Sequence, residues 1–311
     1  MTVLLRQRTC FKFPSHKLCW VKNTFANMMY NASEFCCYQW NPLDPVSGDR
    51  LHIGKEYAVM ILNRPIKVPQ RLMIDLWNNA KLRITVDRGT ERWLTFCEKL
   101  KSDCGSEVTL NPDIVSGDLD SLDPSILQHM RSLGCEIRET EDQDNTDFRK
   151  AVGVVIDKKI ELDSLLVVGE HSGRLDHIVS NLNVHFTTDE LLSNKNVQMY
   201  HLAGDSLTWL LKPGHHKIRI PQRLRDCNAW CSLLPVGTSC NVTSTGLKYN
   251  MENSRLELGG LVSSSNTYDS DKESVELLVD KKIIWSMGLG FKDDLFRSSN
   301  FRRKSCQTAK Y

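Results

Sequence analysis

The chain has 311 residues, enough for one large domain or two ordinary ones, and its 41% hydrophobic and 25% charged residues are typical of a soluble globular protein. Its formal net charge of +2 demands no nucleic-acid partner, and no apolar run is long enough to span a membrane. The 11 cysteines are scattered without a Cys-x-x-Cys pair, which favours a reducing compartment over a disulfide framework. We therefore expect a cytoplasmic protein.

Residues 1–39 are predicted to be a basic leader without a fixed structure. Up to Ser33 the segment carries several basic residues and no acidic one. This bias also resembles a mitochondrial transit peptide, which would make the protein mitochondrial. We favour a disordered leader because the serine content is modest and no amphipathic helix is clear.

Residues 40–212 are predicted to form an α/β domain. Apolar runs typical of buried parallel strands alternate with segments of helical spacing. The predicted strands are 58–62, 82–86, 114–115, 135–138, 164–169 and 197–201, and the predicted helices are 72–80, 93–100, 148–156 and 178–186. This alternation indicates a parallel sheet with helices on both faces.

Residues 213–290 are predicted to form an all-β sandwich, because short runs alternate with turn residues and no helical pattern remains. The runs are 217–220, 230–234, 240–243, 255–262, 274–279 and 283–287. Residues 291–311 are a basic tail that we expect to be disordered. The predicted architecture is thus a parallel-sheet α/β domain followed by a sandwich.

Acidic residues follow three predicted strands of the α/β domain. Asp87 follows one strand, SGDLDS at 116–121 supplies Asp118 and Asp120, and DQDNTDFRK at 142–150 supplies Asp147. In an open α/β sheet such positions meet in the crevice at the carboxyl ends of the strands, where ligands bind. Crowded carboxylates need a cation, and oxygen ligands suit Mg²⁺, which usually also holds substrate phosphates. The sequence therefore predicts a magnesium-phosphate site.

The last acidic cluster also begins a helix. Thr146, or Asp144 before it, can cap this helix, and Asp147 and Lys150 then share one face. The free N–H groups at the helix start favour a phosphate, and Lys150 adds a positive charge. If residues 118–120 are extended, the first and last of them, both aspartates, point the same way.

Other interpretations of these residues stay open. Either cluster alone could be a solvated turn with a helix cap. An EF-hand is excluded, because its sixth loop position would be Asp147 instead of Gly and its twelfth Gly153 instead of Glu. A phosphatase with Asp118 as its nucleophile remains a rival, since an aspartate can be phosphorylated.

A glycine-flanked loop at 169–177 follows another predicted strand and carries Arg174 and Asp176. Arg174 could clamp a phosphate at this strand end. The alternative is a helix start at which the two residues form an internal ion pair.

Six stretches of the chain together resemble the eukaryotic thiamine pyrophosphokinase family. They are SGDLDS (116–121), DQDNTDFRK (142–150), GRLDH (173–177), LPVG (234–237), TGLKYN (245–250) and LVSSSNTYD (261–269), in the order and spacing of that family. The resemblance covers about residues 40–288. It implies Mg²⁺-dependent transfer of the pyrophosphoryl group of ATP to the hydroxyethyl oxygen of thiamine, giving thiamine diphosphate and AMP.

The resemblance also implies a homodimer whose active site lies between the α/β domain of one subunit and the sandwich of the other. The implied metal ligands are Asp87, Asp118, Asp120 and Asp147, and the implied residues for ATP phosphates are Lys150, Gln143, Thr146, Arg174 and Asp176. The implied thiamine residues are Tyr249, Ser263, Ser265, Asn266 and Thr267.

This chain departs from the family pattern at three places. Arg88 and Glu170 stand where the family usually has glycine, and Tyr249 stands where it has tryptophan. A side chain at Arg88 could crowd the phosphates or add charge to them. Tyr249 keeps a smaller aromatic surface, so stacking on thiamine should persist but weaken. Besides the phosphatase, a thiamine diphosphate sensor without activity stays open, although an acidic crevice gives little to a pure anion binder.

Overall fold

A computed structural model describes residues 36–44, 50–104, 111–142 and 144–291 of the chain. The strands are β1 (Cys37–Trp40), β2 (Tyr57–Ile61), β3 (Leu82–Val86), β4 (Ile114–Gly117), β5 (Glu136–Glu139), β6 (Ser164–Val168), β7 (Gln198–Ala203), β8 (Ser206–Leu211), β9 (Gly214–Arg219), β10 (Trp230–Leu234), β11 (Cys240–Thr245), β12 (Ser254–Leu256), β13 (Ser263–Thr267), β14 (Ser274–Val279) and β15 (Ile283–Gly288). The helices are α1 (Gln70–Asn78), α2 (Gly89–Cys104), α3 (Pro124–Ser132), α4 (Asp147–Asp157), α5 (Leu175–Thr187), α6 (Asp189–Ser193) and α7 (Gln222–Asp226).

The predicted α/β architecture is confirmed. Six neighbouring strands, β7-β6-β2-β3-β4-β5, run parallel within a larger sheet. From β2 the chain moves outward through β3 and β4 to β5, and it then crosses back to place β6 on the other side of β2. The strand order therefore reverses between β2 and β6, which is where α/β sheets leave a crevice for ligands.

Helices cover both faces of the parallel part, which explains why its central strands β2 and β6 are almost entirely apolar and buried. On one face, Val59 and Ile61 of β2 pack in the same core as residues of α1 and α2, including Trp77 and Trp93, whose stacked rings are 3.8 Å apart. On the other face, α4, α5 and α6 contribute buried residues to a second core with the alternate residues of β2. The period-two alternation along β2 thus supplies both cores.

The sandwich joins two sheets, as predicted for the second half of the chain. Five strands in the order β1-β9-β14-β11-β12 form one sheet, and the antiparallel end of the larger sheet, β13-β10-β15-β8, forms the other. Trp209 of β8 and Trp285 of β15 are completely buried and belong to the same core as Val275 and Leu277 of β14. That core is continuous with the one beneath α1 and α2.

Two of the predicted domain boundaries divide sheets of the structure. A single ten-stranded sheet crosses the expected boundary at residue 212, because β8 pairs along its whole length with β15. Residues 37–39 were expected in the disordered leader, yet β1 pairs in parallel with β9, and Trp40 Nε1 donates a hydrogen bond to His216 Nδ1 at 3.0 Å. Backbone pairing with an open sheet edge overrides the leader's charge pattern.

Two local predictions in the second half were also wrong. The expected strand 255–262 ends at Leu256, since the chain turns at Gly259, which has a φ of +88°. The polar run Ser263–Thr267 forms β13 instead, and a short helix, Gln222–Asp226, appears where none was expected. The predictions for residues 1–35, 292–311 and Gln143 lie outside the described residues. Within the described ranges, no helix combines the length and apolar character needed to cross a membrane.

Candidate active site

Three aspartates from separate strand ends meet at one edge of the sheet. Asp87 follows β3, Asp118 follows β4, and Asp147 begins α4 beyond β5. One carboxylate oxygen from each lies within 4.8 Å of the other two. We call Asp87, Asp118 and Asp147 the acidic trio. Among the described residues, these three are the cluster of histidine, cysteine or carboxylate side chains close enough together to share a metal ion.

The backbone around Asp87 is shaped to bring two strand ends together. Asp87 has a φ of +48°, and its N–H donates a 2.7 Å hydrogen bond to the carbonyl of Ser116. Gly117 has a φ of +150°, and a Cβ atom there would lie 3.0 Å from the Cβ of Asp87. Glycine is therefore required at this close approach. Ser121 donates a 2.6 Å hydrogen bond to Asp87 Oδ2, while the buried Oδ1 has no partner.

Mutual repulsion marks the electrostatics of the trio. Burial raises the pKa of Asp118 above its usual value, and the nearby carboxylates of Asp147, Asp120 and Asp87 raise it further. A cation among these groups would favour the charged form of Asp118 and so oppose the shift.

Asp120 occupies a different position from the one predicted. Its segment is not extended, because Leu119 has a φ of +61° and is buried. Asp120 is exposed and adjoins Asp118, but it is not one of the three carboxylates that lie within 4.8 Å of one another. The spacing therefore predicted correctly that Asp118 and Asp120 are neighbours, but a left-handed turn at Leu119, and not an extended segment, brings them together.

The helix that follows the trio begins as predicted. The Thr146 hydroxyl accepts a hydrogen bond from Arg149 N at 3.4 Å, so Thr146 is the cap and Asp147 is the first helical residue. Lys150 is only 7% exposed, and its Nζ lies 2.8 Å from Asp147 Oδ1. The same Nζ donates a 3.1 Å hydrogen bond to the carbonyl of Thr140. A buried positive charge is thus fixed beside the trio.

At the predicted phosphate loop, residues 169–177, the structure shows the second alternative, an internal ion pair between Arg174 and Asp176. Arg174 stands at the N-terminus of α5 and contacts Asp176 through both ends of its guanidinium group, with Nε 3.1 Å from Oδ1. The two side chains are 71% and 60% exposed. Their hydrogen bonds stabilise both charged forms, so the pKa of Arg174 is raised and the pKa of Asp176 is lowered.

Arg88 does not fill the crevice. Its guanidinium group is exposed and forms an ion pair at 3.0 Å with Glu91, in the first turn of the helix that begins at the next residue. The departure from the family pattern at this position therefore leaves the trio accessible.

Three histidines cluster at the phosphate loop: His185 and His201 are buried, and His171 is partly buried. His171 follows β6, His185 is in α5 and His201 is in β7. The rings of His171 and His201 are 4.3 Å apart, and those of His185 and His201 are 5.9 Å apart. His201 Nε2 donates a 2.8 Å hydrogen bond to the carbonyl of Gly169. Burial lowers the pKa of all three, and that of His185 falls to about 3.

The predicted thiamine residues are gathered at the far edge of the sandwich. Tyr249 is 63% exposed, and Lys248 Nζ lies 5.8 Å from its ring centroid. Asn266 is buried and clamps the Tyr249 backbone, with its Oδ1 accepting from Tyr249 N at 3.1 Å and its Nδ2 donating to Tyr249 O at 2.8 Å. The Thr267 hydroxyl donates to the carbonyl of Ala229 at 2.8 Å. Asn266 and Thr267 therefore hold the loop, and Ser265 is exposed on β13.

The two groups of site residues lie far apart in the sheet. The thiamine residues lie on β13, the first strand of the ten-stranded sheet, and Asp118 follows β4, the ninth. At about 4.8 Å between neighbouring strands, eight such steps separate them by roughly 38 Å.

Comparisons with known proteins agree along the chain. A family model described as "Thiamin pyrophosphokinase, catalytic domain" matches residues 73–200, and one described as "Thiamin pyrophosphokinase, vitamin B1 binding domain" matches residues 215–284. The chain is 32% identical to "Thiamine pyrophosphokinase 1" of Oryza sativa over 243 residues, covering 75% of this chain and 87% of the relative. It is 31% identical over 254 residues to "Thiamine pyrophosphokinase 1" of Arabidopsis thaliana, covering 78% and 89%.

Among solved structures, the fold is similar to that of "Thiamin pyrophosphokinase from Candida albicans". The TM-score is 0.66 at 22% sequence identity, and the match covers 81% of this chain and 92% of the other. At that identity, the likeness speaks for the fold alone.

Proposed function

The chain belongs to the thiamine pyrophosphokinase family, and from this premise we propose that the acidic trio holds a magnesium ion that binds the phosphates of ATP. The enzyme transfers the pyrophosphoryl group of ATP to thiamine, giving thiamine diphosphate and AMP. The observation that carries the proposed metal site is the approach of three carboxylate oxygens to within 4.8 Å of one another.

The donor set fits a hard divalent cation. All three groups are carboxylates, and Asp87 Oδ1 is buried without a hydrogen-bond partner. Oxygen ligands of this kind suit Mg²⁺, which commonly bridges protein carboxylates and substrate phosphates. Asp120 is kept as a candidate ligand because its carboxylate adjoins that of Asp118. The ion would supply charge neutralisation at the phosphoryl oxygens.

The chain's own groups supply the remaining electrostatics. Lys150 is held by Asp147 and the carbonyl of Thr140, so its charge is fixed before substrate arrives, which suits transition-state stabilisation. The first N–H groups of α4 point toward the same edge and favour phosphate oxygens. We propose that Arg174 exchanges Asp176 for a phosphate, and we retain Gln143 and Thr146 as phosphate contacts. Positioning and charge, rather than covalent chemistry, are what this reaction demands.

We propose that thiamine stacks on Tyr249 of a partner subunit. The exposed ring, whose backbone Asn266 holds, would offer a flat surface to a cationic heterocycle, and Ser263 and Ser265 lie on the adjacent edge strand. The separation of roughly 38 Å between β13 and β4 in one sheet supports a homodimer in which each site combines two chains. No nucleic acid or membrane is required.

We also propose that the enzyme works in the cytoplasm. The cysteines whose side chains the structure describes are all free, which suits a reducing compartment. A disulfide found in the protein isolated under non-reducing conditions would contradict this assignment.

The direct test is an incubation of the protein with ATP and thiamine, with and without Mg²⁺, followed by separation of nucleotides and thiamine esters. We expect AMP and thiamine diphosphate in equal amounts, and neither product when EDTA removes the metal. Formation of ADP with thiamine monophosphate would contradict pyrophosphoryl transfer. Equal product yields with and without the metal would contradict the proposed magnesium site.

A further inference from the structure

Arg64 lies at the switch point of the sheet. It lies three residues after the end of β2 at Ile61. Between them, the N–H of Leu62 still donates a hydrogen bond to the carbonyl of Val168 in β6 at 3.0 Å. Arg64 N then donates a 2.7 Å hydrogen bond to the carbonyl of Leu62, so the chain turns sharply as it leaves the strand. The side chain therefore starts in the crevice between β2 and β6, where ligands of such sheets bind.

The guanidinium group lies against the glycine-flanked loop that carries Arg174. A Cβ atom on Gly173 would be 3.4 Å from Arg64 Nη1, and one on Gly169 would be 3.5 Å from Arg64 Cβ. Arg64 Nη2 is 2.8 Å from His177 Nδ1, and since a guanidinium only donates, the imidazole accepts. Two glycines thus leave room for the arginine, and the hydrogen bond to His177 orients it.

Arg64 differs from the other cations at this edge in its charge balance. Lys150 pairs with Asp147, Arg174 with Asp176 and Arg88 with Glu91. Within the described ranges, by contrast, no carboxylate lies within ion-pair distance of Arg64, which is half-buried. A partly desolvated arginine without a counter-ion is well suited to bind an anion.

The acidic trio lies at the same edge of the sheet. β2 and β3 are neighbours, about 4.8 Å apart; Asp87 comes directly after β3, and Arg64 comes three residues after the end of β2. Gly89, two residues after Asp87, packs against the end of β2, where its Cβ position would be 3.0 Å from the carbonyl carbon of Leu62. A polyphosphate that is held at the trio and runs toward the switch point would therefore approach Arg64.

We propose that Arg64 binds a phosphate of ATP from the switch-point side of the crevice, across from the acidic trio. The inference rests on the proposed ATP site and adds a residue to it that none of the motifs contains. The planar fork of arginine can donate two hydrogen bonds to one phosphate, whereas lysine offers only a point charge. Arg64 is thus a substrate-binding residue that sets affinity for the nucleotide.

The test measures equilibrium binding of α,β-methylene-ATP with Mg²⁺ by calorimetry, since the methylene group blocks the bond that the reaction breaks. We expect Arg64→Gln to weaken binding by about tenfold to a hundredfold, the scale of a charged hydrogen bond, and Arg64→Lys to fall between it and wild type. Arg131→Gln is the matched control: Arg131 is exposed in the last turn of α3, toward the opposite edge of the sheet. It should bind as wild type does.

Three outcomes would overturn the proposal. One is Arg64→Gln binding the analogue as tightly as Arg131→Gln, with both variants melting at the wild-type temperature. Another is that Arg64→Gln weakens the binding of adenosine as much as the binding of the ATP analogue, which would mean that Arg64 contacts the base or the ribose. The third is a ratio of wild-type to Arg64→Gln affinity that does not shrink as KCl is raised, because a charge contact is screened. Normal product formation by wild type in these cases would leave the proposed function standing.

Discussion

Asp118 is the residue of the trio whose charged form the site destabilises. Its carboxylate lies among others, and both burial and their charges raise its pKa. A carboxylate whose charged form is disfavoured by burial and by neighbouring carboxylates is typical of a metal ligand in the absence of its metal. Activity and stability should therefore respond to its replacement in opposite directions.

We expect Asp118→Asn to lower turnover by at least about a hundredfold, the scale of losing a transition-state electrostatic contact. The metal-free variant should melt about 1–3 °C higher than wild type, because one repelling charge is gone. Steady-state assays and thermal melting in EDTA measure the two effects. Asp144→Asn, in the exposed loop before α4, is the control and should leave both unchanged.

The same loss of turnover is expected for Asp120→Asn, which the family resemblance also assigns to the metal. Near-normal turnover in that variant would remove Asp120 from the metal site and leave the trio intact. Near-normal turnover in Asp118→Asn would refute the trio itself.

At the scale of elements, α4 connects secondary structure to chemistry. Its cap, Thr146, fixes where the helix begins, and the first helical residue is Asp147. One turn later comes Lys150, which returns to Asp147. The start of one helix thus places a metal carboxylate, a buried cation and free N–H groups together.

We expect Thr146→Ala to cost about 1 kcal/mol of unfolding free energy through the lost cap and to weaken Mg²⁺ binding, because Asp147 loses its fixed start. Thr146→Ser keeps a hydroxyl acceptor and should behave as wild type. Urea unfolding and the Mg²⁺ dependence of melting provide the measurements. A stability loss without any change in Mg²⁺ dependence would separate the cap from the site.

The buried histidines predict a loss of stability in acid. Because the folded-state pKa of His185 is about 3, the folded protein resists protonation, whereas the unfolded chain takes up a proton near pH 6.5. Stability is therefore full above pH 6.5 and falls as the pH drops below it, by about 2 kcal/mol for this residue at pH 5.

Urea unfolding of His185→Phe at pH 7.5 and pH 5 measures that contribution. The variant should lose about 2 kcal/mol less than wild type between the two pH values. His129→Phe, at an exposed position on α3, should lose as much as wild type. An unchanged loss in His185→Phe would show that another group drives acid unfolding.

The sequence predicted these elements unevenly, for physical reasons. Buried parallel strands such as β2 are apolar on both faces, and Thr146 has the chemistry of a cap, so both were predictable. β13 escaped prediction because its residues, Ser263–Thr267, are polar and are held by pairing with β10. Asp120 was misplaced because the left-handed turn at Leu119 leaves no mark in the spacing. Arg64 matters through contacts with residues more than 100 positions away, at Gly173 and His177, which no local pattern encodes.

On the scale of the whole molecule, the two candidate half-sites lie at opposite ends of one sheet. The trio follows strands near one end, and Tyr249 and β13 are at the other. The proposed active site is therefore a property of the pair of chains. Each homodimer would carry two such sites, related by its twofold axis.

This arrangement predicts complementation between inactive variants. When Asp118→Asn and Tyr249→Ala chains are mixed one to one with subunit exchange, half of the dimers are mixed, and one of their two sites is intact. We expect about a quarter of wild-type activity from parents that are each severely impaired. Asp118→Asn mixed with Asp147→Asn should recover nothing, because both changes fall in the same half-site. No recovery in the first mixture would contradict a shared site.

The continuous sheet also bears on how this protein could be recombined with its relatives. The two family models meet between residues 200 and 215, and β8 lies in that interval, paired with β7 on one side and β15 on the other. A chimera joined after residue 212 would pair a β8 from one parent with a β15 from the other, against Trp209 and Trp285 in the core. A crossover in the turn between β7 and β8, at Gly204, would keep that strand pair together from a single parent. The pairing of β8 with β15 along its whole length, more than the limits of the family models, therefore decides where such a chimera should be joined.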